Sequence, residues 1–198
     1  MSGSPPIHFV EVTTRALEGL PDARGDSVRS MLAADHDILM GDVRVSLGYQ
    51  VQAEMTPEQI ERTVYDLFAD PVIEQASCNG ALLGITGIFP STPEAAIQVG
   101  FKPGVTDNAG QAGLDGLLTL YPKLRNAAQV ATSRTYLFWD VPEGIELSQL
   151  ANILHNPMIE RCAYADADDC AGGRWPSLPF PARPPAVFAE PAVIDLEV

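Results

Sequence analysis

The segment DPVIEQ at residues 70–75 returns as NPMIER at 156–161, and LPDARG at 20–25 returns more weakly within FKPGVTDNAG at 101–110. Two matches in the same order at nearly constant offset mark an internal repeat. A repeat constrains the fold before any motif is read, because each copy must be one supersecondary unit that cannot bury its apolar face alone. The pairing extends through Asp22 and Asp107, Gly25 and Gly110, Tyr49 and Tyr136, Pro71 and Pro157, Ile73 and Ile159, and Glu74 and Glu160, at offsets of 85 to 87.

The hydrophobic pattern gives each copy the same element order. Ile7, Phe9 and Val10–Val12 read as a strand, and Asp22 or Asp26 caps a helix reaching about Ala34. Val43, Val45, Leu47, Tyr49, Val51 and Ala53 alternate with mostly polar residues, which predicts a hairpin of two strands broken near Gly48. Thr56, Pro57 and Gln59 form a helix start, Ile60, Val64, Leu67 and Phe68 follow at helical spacing until Pro71, and Val72–Ala76 closes the unit as a strand. In the second copy the strand is Ala96–Phe101, and Asp107 starts a helix to about Tyr121. A hairpin of Ala128–Thr132 and Thr135–Trp139 turns at Ser133 and Arg134, a helix through Leu147, Leu150, Ile153 and Leu154 stops before Pro157, and Met158–Ala163 is the last strand. The expectation is an α+β fold of two β-α-β-β-α-β units packed face to face as a pseudo-twofold pair. Residues 1–78 would be the first unit, 79–94 a connector, 95–165 the second unit, and 166–198 an acidic loop followed by a proline-rich linker or docking tail.

Composition narrows the function classes. The chain has 198 residues, 46% of them hydrophobic, which is enough for one good core or two small ones sharing an interface. Its net charge of −14, with no Lys/Arg cluster, argues against nucleic acid and against an anionic membrane surface. No apolar run approaches the ~20 residues that span a bilayer, and MSGSPPIHF has neither the basic start nor the apolar stretch of a signal peptide, so a cytoplasmic protein is expected. Cys78, Cys162 and Cys170 are odd in number and scattered, as free thiols are.

KPGVTDNAG at a strand-to-helix turn, the hairpin TSRTYLFWDV and a helix ending in NPMIER resemble, together and in order, the PurS subunit of phosphoribosylformylglycinamidine (FGAM) synthase and the PurS-like amino-terminal part of its fused large forms. The resemblance covers roughly residues 7–163. The family's turn pattern falls on Lys102, Pro103, Gly104, Val105, Thr106 and Asp107; in the first copy Arg15 stands in place of the lysine and the proline-glycine pair is absent. The resemblance implies a non-catalytic component that organises an ATP-using synthase part and a glutaminase part for the conversion of formylglycinamide ribonucleotide (FGAR) to FGAM. ATP and magnesium would then belong to the partner, and this chain would hold no cofactor, no metal and no catalytic residue of its own.

The residues themselves offer few rival sites. Cys78 in SCNGALLG lacks the preceding glycine of a nucleophile elbow, His8, His36 and His155 are isolated, and CAYADADDC lacks the glycine and closing glutamate of a calcium loop. The turn at Lys102, Pro103, Gly104, Thr106 and Asp107, with Arg134 and Tyr136 on the following hairpin, is the candidate interface or anion site, although a capping Asp107 would itself occupy the helix-terminal donors. Gly110, Gly113 and Gly116 predict close packing of that helix on a neighbouring backbone. Residues 172–198 carry six of the 17 prolines together with Trp175, Phe180 and Phe188. They read as an extended tail suited to a groove, and the closing IDLEV as a strand without a partner. The alternative function is a ferredoxin-like regulatory module that binds a small molecule between the copies, on fold analogy alone.

Overall fold

A computed structural model describes residues 4–15, 22–80, 82, 88–89, 91–125 and 127–181. The segment ALEGLP and the closing IDLEV lie outside them. The chain runs β1 (Ile7–Thr14), α1 (Ala23–His36), β2 (Val43–Gln52), α2 (Pro57–Thr63) continuing as a π turn (Val64–Phe68), and β3 (Glu74–Cys78). It goes on through β4 (Ala95–Phe101), α3 (Asn108–Leu120), β5 (Gln129–Phe138), α4 (Leu147–Leu154), β6 (Glu160–Ala165) and α5 (Ala167–Ala171). The result is an α+β fold with one antiparallel six-stranded sheet, in the order β3-β1-β2-β5-β4-β6.

Two expectations are corrected. The hairpins predicted at 43–53 and 128–139 do not form; each stretch is a single strand of ten residues, so each half is β-α-β-α-β. Neither Gly48 nor Ser133-Arg134 has the positive backbone φ of a hairpin turn. A Cβ at Gly48 would instead lie 2.4 Å from the Ser133 hydroxyl, so the glycine admits a facing side chain rather than breaking the strand. Nor do the halves stack face to face. They join edge to edge through β2 and β5, over ten residue pairs from Val43↔Phe138 to Gln52↔Gln129. Midway along this ladder Leu47 faces Arg134, at the same offset that separates Tyr49 from Tyr136.

Helices α1 to α4 pack on one face of the sheet, and the core beneath them falls into two clusters that each draw on both halves. In one, Leu32 of α1 meets Leu150, Ala151 and Leu154 of α4 over Val43, Val45, Ile97 and Phe138. In the other, Ile60 of α2, Val64 and Phe68 of the π turn and Leu117 of α3 close over Val10, Val12 and Val51. The helix starts follow the sequence. Asp22 caps α1, Asp107 caps α3, and Thr56 with Gln59 forms a capping box on α2 with Pro57 at its first turn. Gly25 and Gly110 let α1 and α3 sink onto the strands: a Cβ at Gly25 would lie 1.8 Å from the Val43 carbonyl oxygen, and one at Gly110 2.7 Å from that of Val130.

The second face carries buried polar side chains, among them Thr13, Ser46, Gln98 and Thr135; α5 packs over β4 and β6, and Leu178 meets Gln98. Glu11 lies there, buried. It accepts hydrogen bonds from the Ser46 hydroxyl (2.7 Å) and the Leu82 amide (3.0 Å), and burial raises its pKa against the opposing effect of those bonds. No helix is long and apolar enough to cross a membrane among the described residues.

Gly25→Ala has to push a methyl group into a backbone oxygen. We expect it to cost about 3 kcal/mol, roughly 10 °C in melting temperature, while Gly80→Ala, with nothing near its Cβ, stays within ~0.5 kcal/mol of wild type. Thermal unfolding of the two variants checks the close approach of α1; an unchanged Gly25→Ala would contradict it.

Candidate functional site

The repeated motif Asx-Pro-apolar-Ile-Glu builds the same turn twice. In the first half the Asp70 carboxylate accepts from the Val72 amide (2.8 Å), and Glu74 closes the loop by accepting from the Asp70 amide (3.0 Å). In the second half Asn156 accepts from the Met158 amide (3.0 Å) and Glu160 from the Asn156 amide (2.7 Å). These are Asx turns locked by a carboxylate at the first residue of the following strand. A cation from the preceding strand end holds each one. Arg15 donates to the carbonyls of Glu74 (2.9 Å) and Pro71 (3.1 Å), and the Lys102 ammonium donates to the carbonyl of Pro157. Arg15 thus stands for Lys102, although the sequence that follows it differs. Beside the strand ends the two closing glutamates also take an arginine each, from different places: Arg24 of α1 for Glu74 (3.0 Å) and Arg134 of β5 for Glu160 (2.6 Å).

The KPGVTD turn is a type II turn, with Pro103 at its second position, Gly104 at φ +85°, and the Val105 amide donating to the Lys102 carbonyl (3.1 Å). Asp107 then spends its carboxylate internally. It accepts from the Gly110 amide (2.7 Å), the Thr132 amide (2.6 Å) and the Thr132 hydroxyl (2.9 Å). Asp22 does the same work in the first half, taking the Arg24 amide (3.2 Å) and the Val45 amide (3.0 Å). Both caps therefore tie a helix start to a central strand.

Of the residues singled out in the sequence, Lys102, Gly104, Thr106 and Asp107 line one cavity of about 330 Å³, walled on its other side by Phe180 and Pro181. Arg134 lines an adjoining, more apolar cavity of about 230 Å³ with Leu47, Tyr49, Val99 and Phe101, where the two halves meet. Tyr136 lies in the core and Pro103 lines neither cavity. Burial raises the hydroxyl pKa of Tyr136, offset by Arg134, and that of Tyr49, to which Glu74 adds. Lys102 donates to a carbonyl and Arg134 pairs with Glu160, and the two cations line different cavities.

Nucleophilic chemistry finds little support in the cysteines. Burial, then the charge of Glu61, raises the Cys78 thiol; burial raises Cys162; burial with Asp166 and Asp169 pushes Cys170 up to about 11. Among the described residues no three His, Cys, Asp or Glu side chains are grouped to hold a metal ion.

What the sequence reading missed is the apolar tip of each matched turn. Val72 is 73% exposed and Ile73 46%; Met158 is 82% exposed and Ile159 41%. The signal was present in the repeated motif, whose only unexplained members are these apolar residues. The tips precede β3 and β6, the two edge strands, which at ordinary strand spacing lie roughly 24 Å apart across the sheet.

The chain matches no protein-family model, and no curated protein sequence.

If the two turns are held as described, Glu74→Ala and Glu160→Ala each leave a turn amide and an arginine without their carboxylate. We expect each to lower the unfolding free energy by about 1–2 kcal/mol, read from urea midpoints at constant m. A neutral result at either position would contradict the shared construction.

Proposed function

We propose that the chain is a non-catalytic docking component, a tandem duplicate of a PurS-like unit that organises the ATP-using synthase and glutaminase parts of FGAM synthase for the glutamine-dependent conversion of FGAR to FGAM in de novo purine biosynthesis. The reading takes the family from the motif resemblance and the role from the surface. One observation carries it: the polar groups of the two matched turns are spent on internal bonds, while their apolar tips, Val72 and Ile73, Met158 and Ile159, remain exposed at equivalent places. Exposed apolar groups held on rigid, self-satisfied turns are the makings of a protein contact. Their placement in both halves suits a partner assembly that offers two sockets. The matched hydrogen bonds of Asp22 and Asp107, Arg15 and Lys102, and Glu74 and Glu160 support the duplication.

On this reading the ATP and magnesium act on the partner and the protein works in the cytoplasm. The runner-up, a regulatory module that binds a small molecule, draws on the 230 Å³ cavity where the halves meet. A ligand-induced rise in melting temperature with no affinity for the synthase parts would favour it.

The test combines the purified chain with cognate synthase and glutaminase parts lacking their own PurS-like component and follows glutamine-dependent FGAM formation. We expect the chain alone to be inactive and the mixture active. The double variant Val72→Asp/Met158→Asp should fold normally yet need about tenfold more protein for half-maximal stimulation. Turnover by the chain alone, or stimulation that the double variant leaves intact, would overturn the proposal.

A further inference from the structure

The face of the sheet away from α1–α4 is crossed by an extended segment of the chain itself. Of residues 172–181 only Leu178 is buried, 8% exposed, and its side chain sits over Gly100, where a Cβ would lie 3.1 Å from Leu178 Cδ1. Both backbone groups of this leucine are read by side chains from strands two apart. Its amide donates to Gln98 Oε1 (2.7 Å) and its carbonyl accepts from Gln50 Nε2 (2.8 Å). The Ser133 hydroxyl, 3.4 Å from Gln98 Nε2, helps to fix which end of that amide faces the segment. Arg161 donates to the carbonyl of Pro179, and Phe180 and Pro181 continue to the cavity beside the KPGVTD turn.

This is the chemistry of peptide recognition: a glycine socket for one leucine, an acceptor for its N–H, a donor for its C=O, and prolines on both sides that keep the strand extended and solvated. Beyond Trp175, which packs against the cluster under α5, one buried side chain and a few hydrogen bonds hold the segment down. It joins α5 through Gly172 and Gly173, the latter at φ +71° with open space around it. Arg174 stays tied to α5, its amide donating to the Asp169 carbonyl (2.8 Å) and its guanidinium to the Asp169 carboxylate (2.7 Å), and Trp175 packs against the cluster that includes Cys170, so the part free to leave begins at Pro176.

We propose that this face is a peptide-binding surface for an extended, proline-flanked leucine segment of the partner protein, and that residues 176–181 are the placeholder that fills it in the free chain. Identifying the occupant as part of a partner protein rests on the docking reading above; the surface and its test do not. A segment donated by a second copy is disfavoured by charge, since each chain carries −14. Because the placeholder is tethered, it competes at an effective concentration on the order of millimolar, so a partner segment displaces it at that concentration, which a partner held nearby by other contacts supplies.

The test uses the full chain and a fluorescent peptide with the sequence of residues 174–181. Leu178→Asp frees the socket without touching its walls, and we expect it to bind the peptide at least tenfold more tightly than wild type. Gln50→Leu or Gln98→Leu added to it should remove most of that gain, as should aspartate in place of the peptide's leucine. A folded Leu178→Asp protein that binds no better than wild type, or equal binding of the leucine and aspartate peptides, would overturn the proposal. Dimers of the wild-type chain that exchange this segment would overturn the partner as occupant. Should Leu178→Asp fail to fold, hydrogen exchange on the wild-type chain decides. Millimolar peptide should speed exchange of the Leu178 amide, and an unchanged rate contradicts displacement. Failure of the synthase test with success here would reject the purine-pathway partner and keep the surface.

Discussion

Everything in the fold depends on the ladder between β2 and β5. Ten residue pairs join the halves, and the helices above them are shared: α1 finds its apolar partners on α4, and α2 finds its own on α3. Separated, each half would keep three strands and two main helices but would expose one side of both core clusters. Units of that size are marginal even with complete cores, so the pairing is a condition of folding rather than a contact between finished domains. It also fixes the spacing of whatever the two halves display.

The division of labour among charged residues follows. Asp22, Asp107, Glu74 and Glu160 each satisfy backbone amides at an element end, where an unpaired donor would otherwise be left. Arg15 and Lys102 bind carbonyls of the matched turns. With these groups committed to holding the backbone, the described surface offers apolar turn tips at opposite ends of the two edge strands and a peptide-like track across one face. Exposed apolar tips and a peptide-like track are means of binding, which is the physical content of the docking proposal.

Much of this was legible in the sequence. The caps at Asp22 (one of two aspartates the sequence offers), Thr56 and Asp107, the stops at Pro71 and Pro157 and the repeated motif each carry a local mechanism, and local mechanisms survive folding. The central strands were misread because Gly48 and Ser133-Arg134 look like breaks in isolation. Only the facing strand shows that Gly48 makes room for a side chain. The strand starts at 72 and 158 were two residues early, since Ile73 and Ile159 belong to turns locked by the glutamates that follow. Burial of Glu11 beneath Leu82, and the seat of Leu178 on Gly100, join residues about 70 to 80 apart in sequence and leave no periodic signal. The candidate turn forms where the sequence places it, and the internal bonds of Asp107 and Lys102 depend on Thr132 and Pro157 reaching it from elsewhere in the chain.

The central claim is that the two halves form a single body because neither owns a complete core. Differential scanning calorimetry of the intact chain tests this most directly. The account predicts one transition whose van't Hoff and calorimetric enthalpies agree. Two resolved transitions, or a calorimetric enthalpy about twice the van't Hoff value, would mean that the halves fold independently and would contradict it.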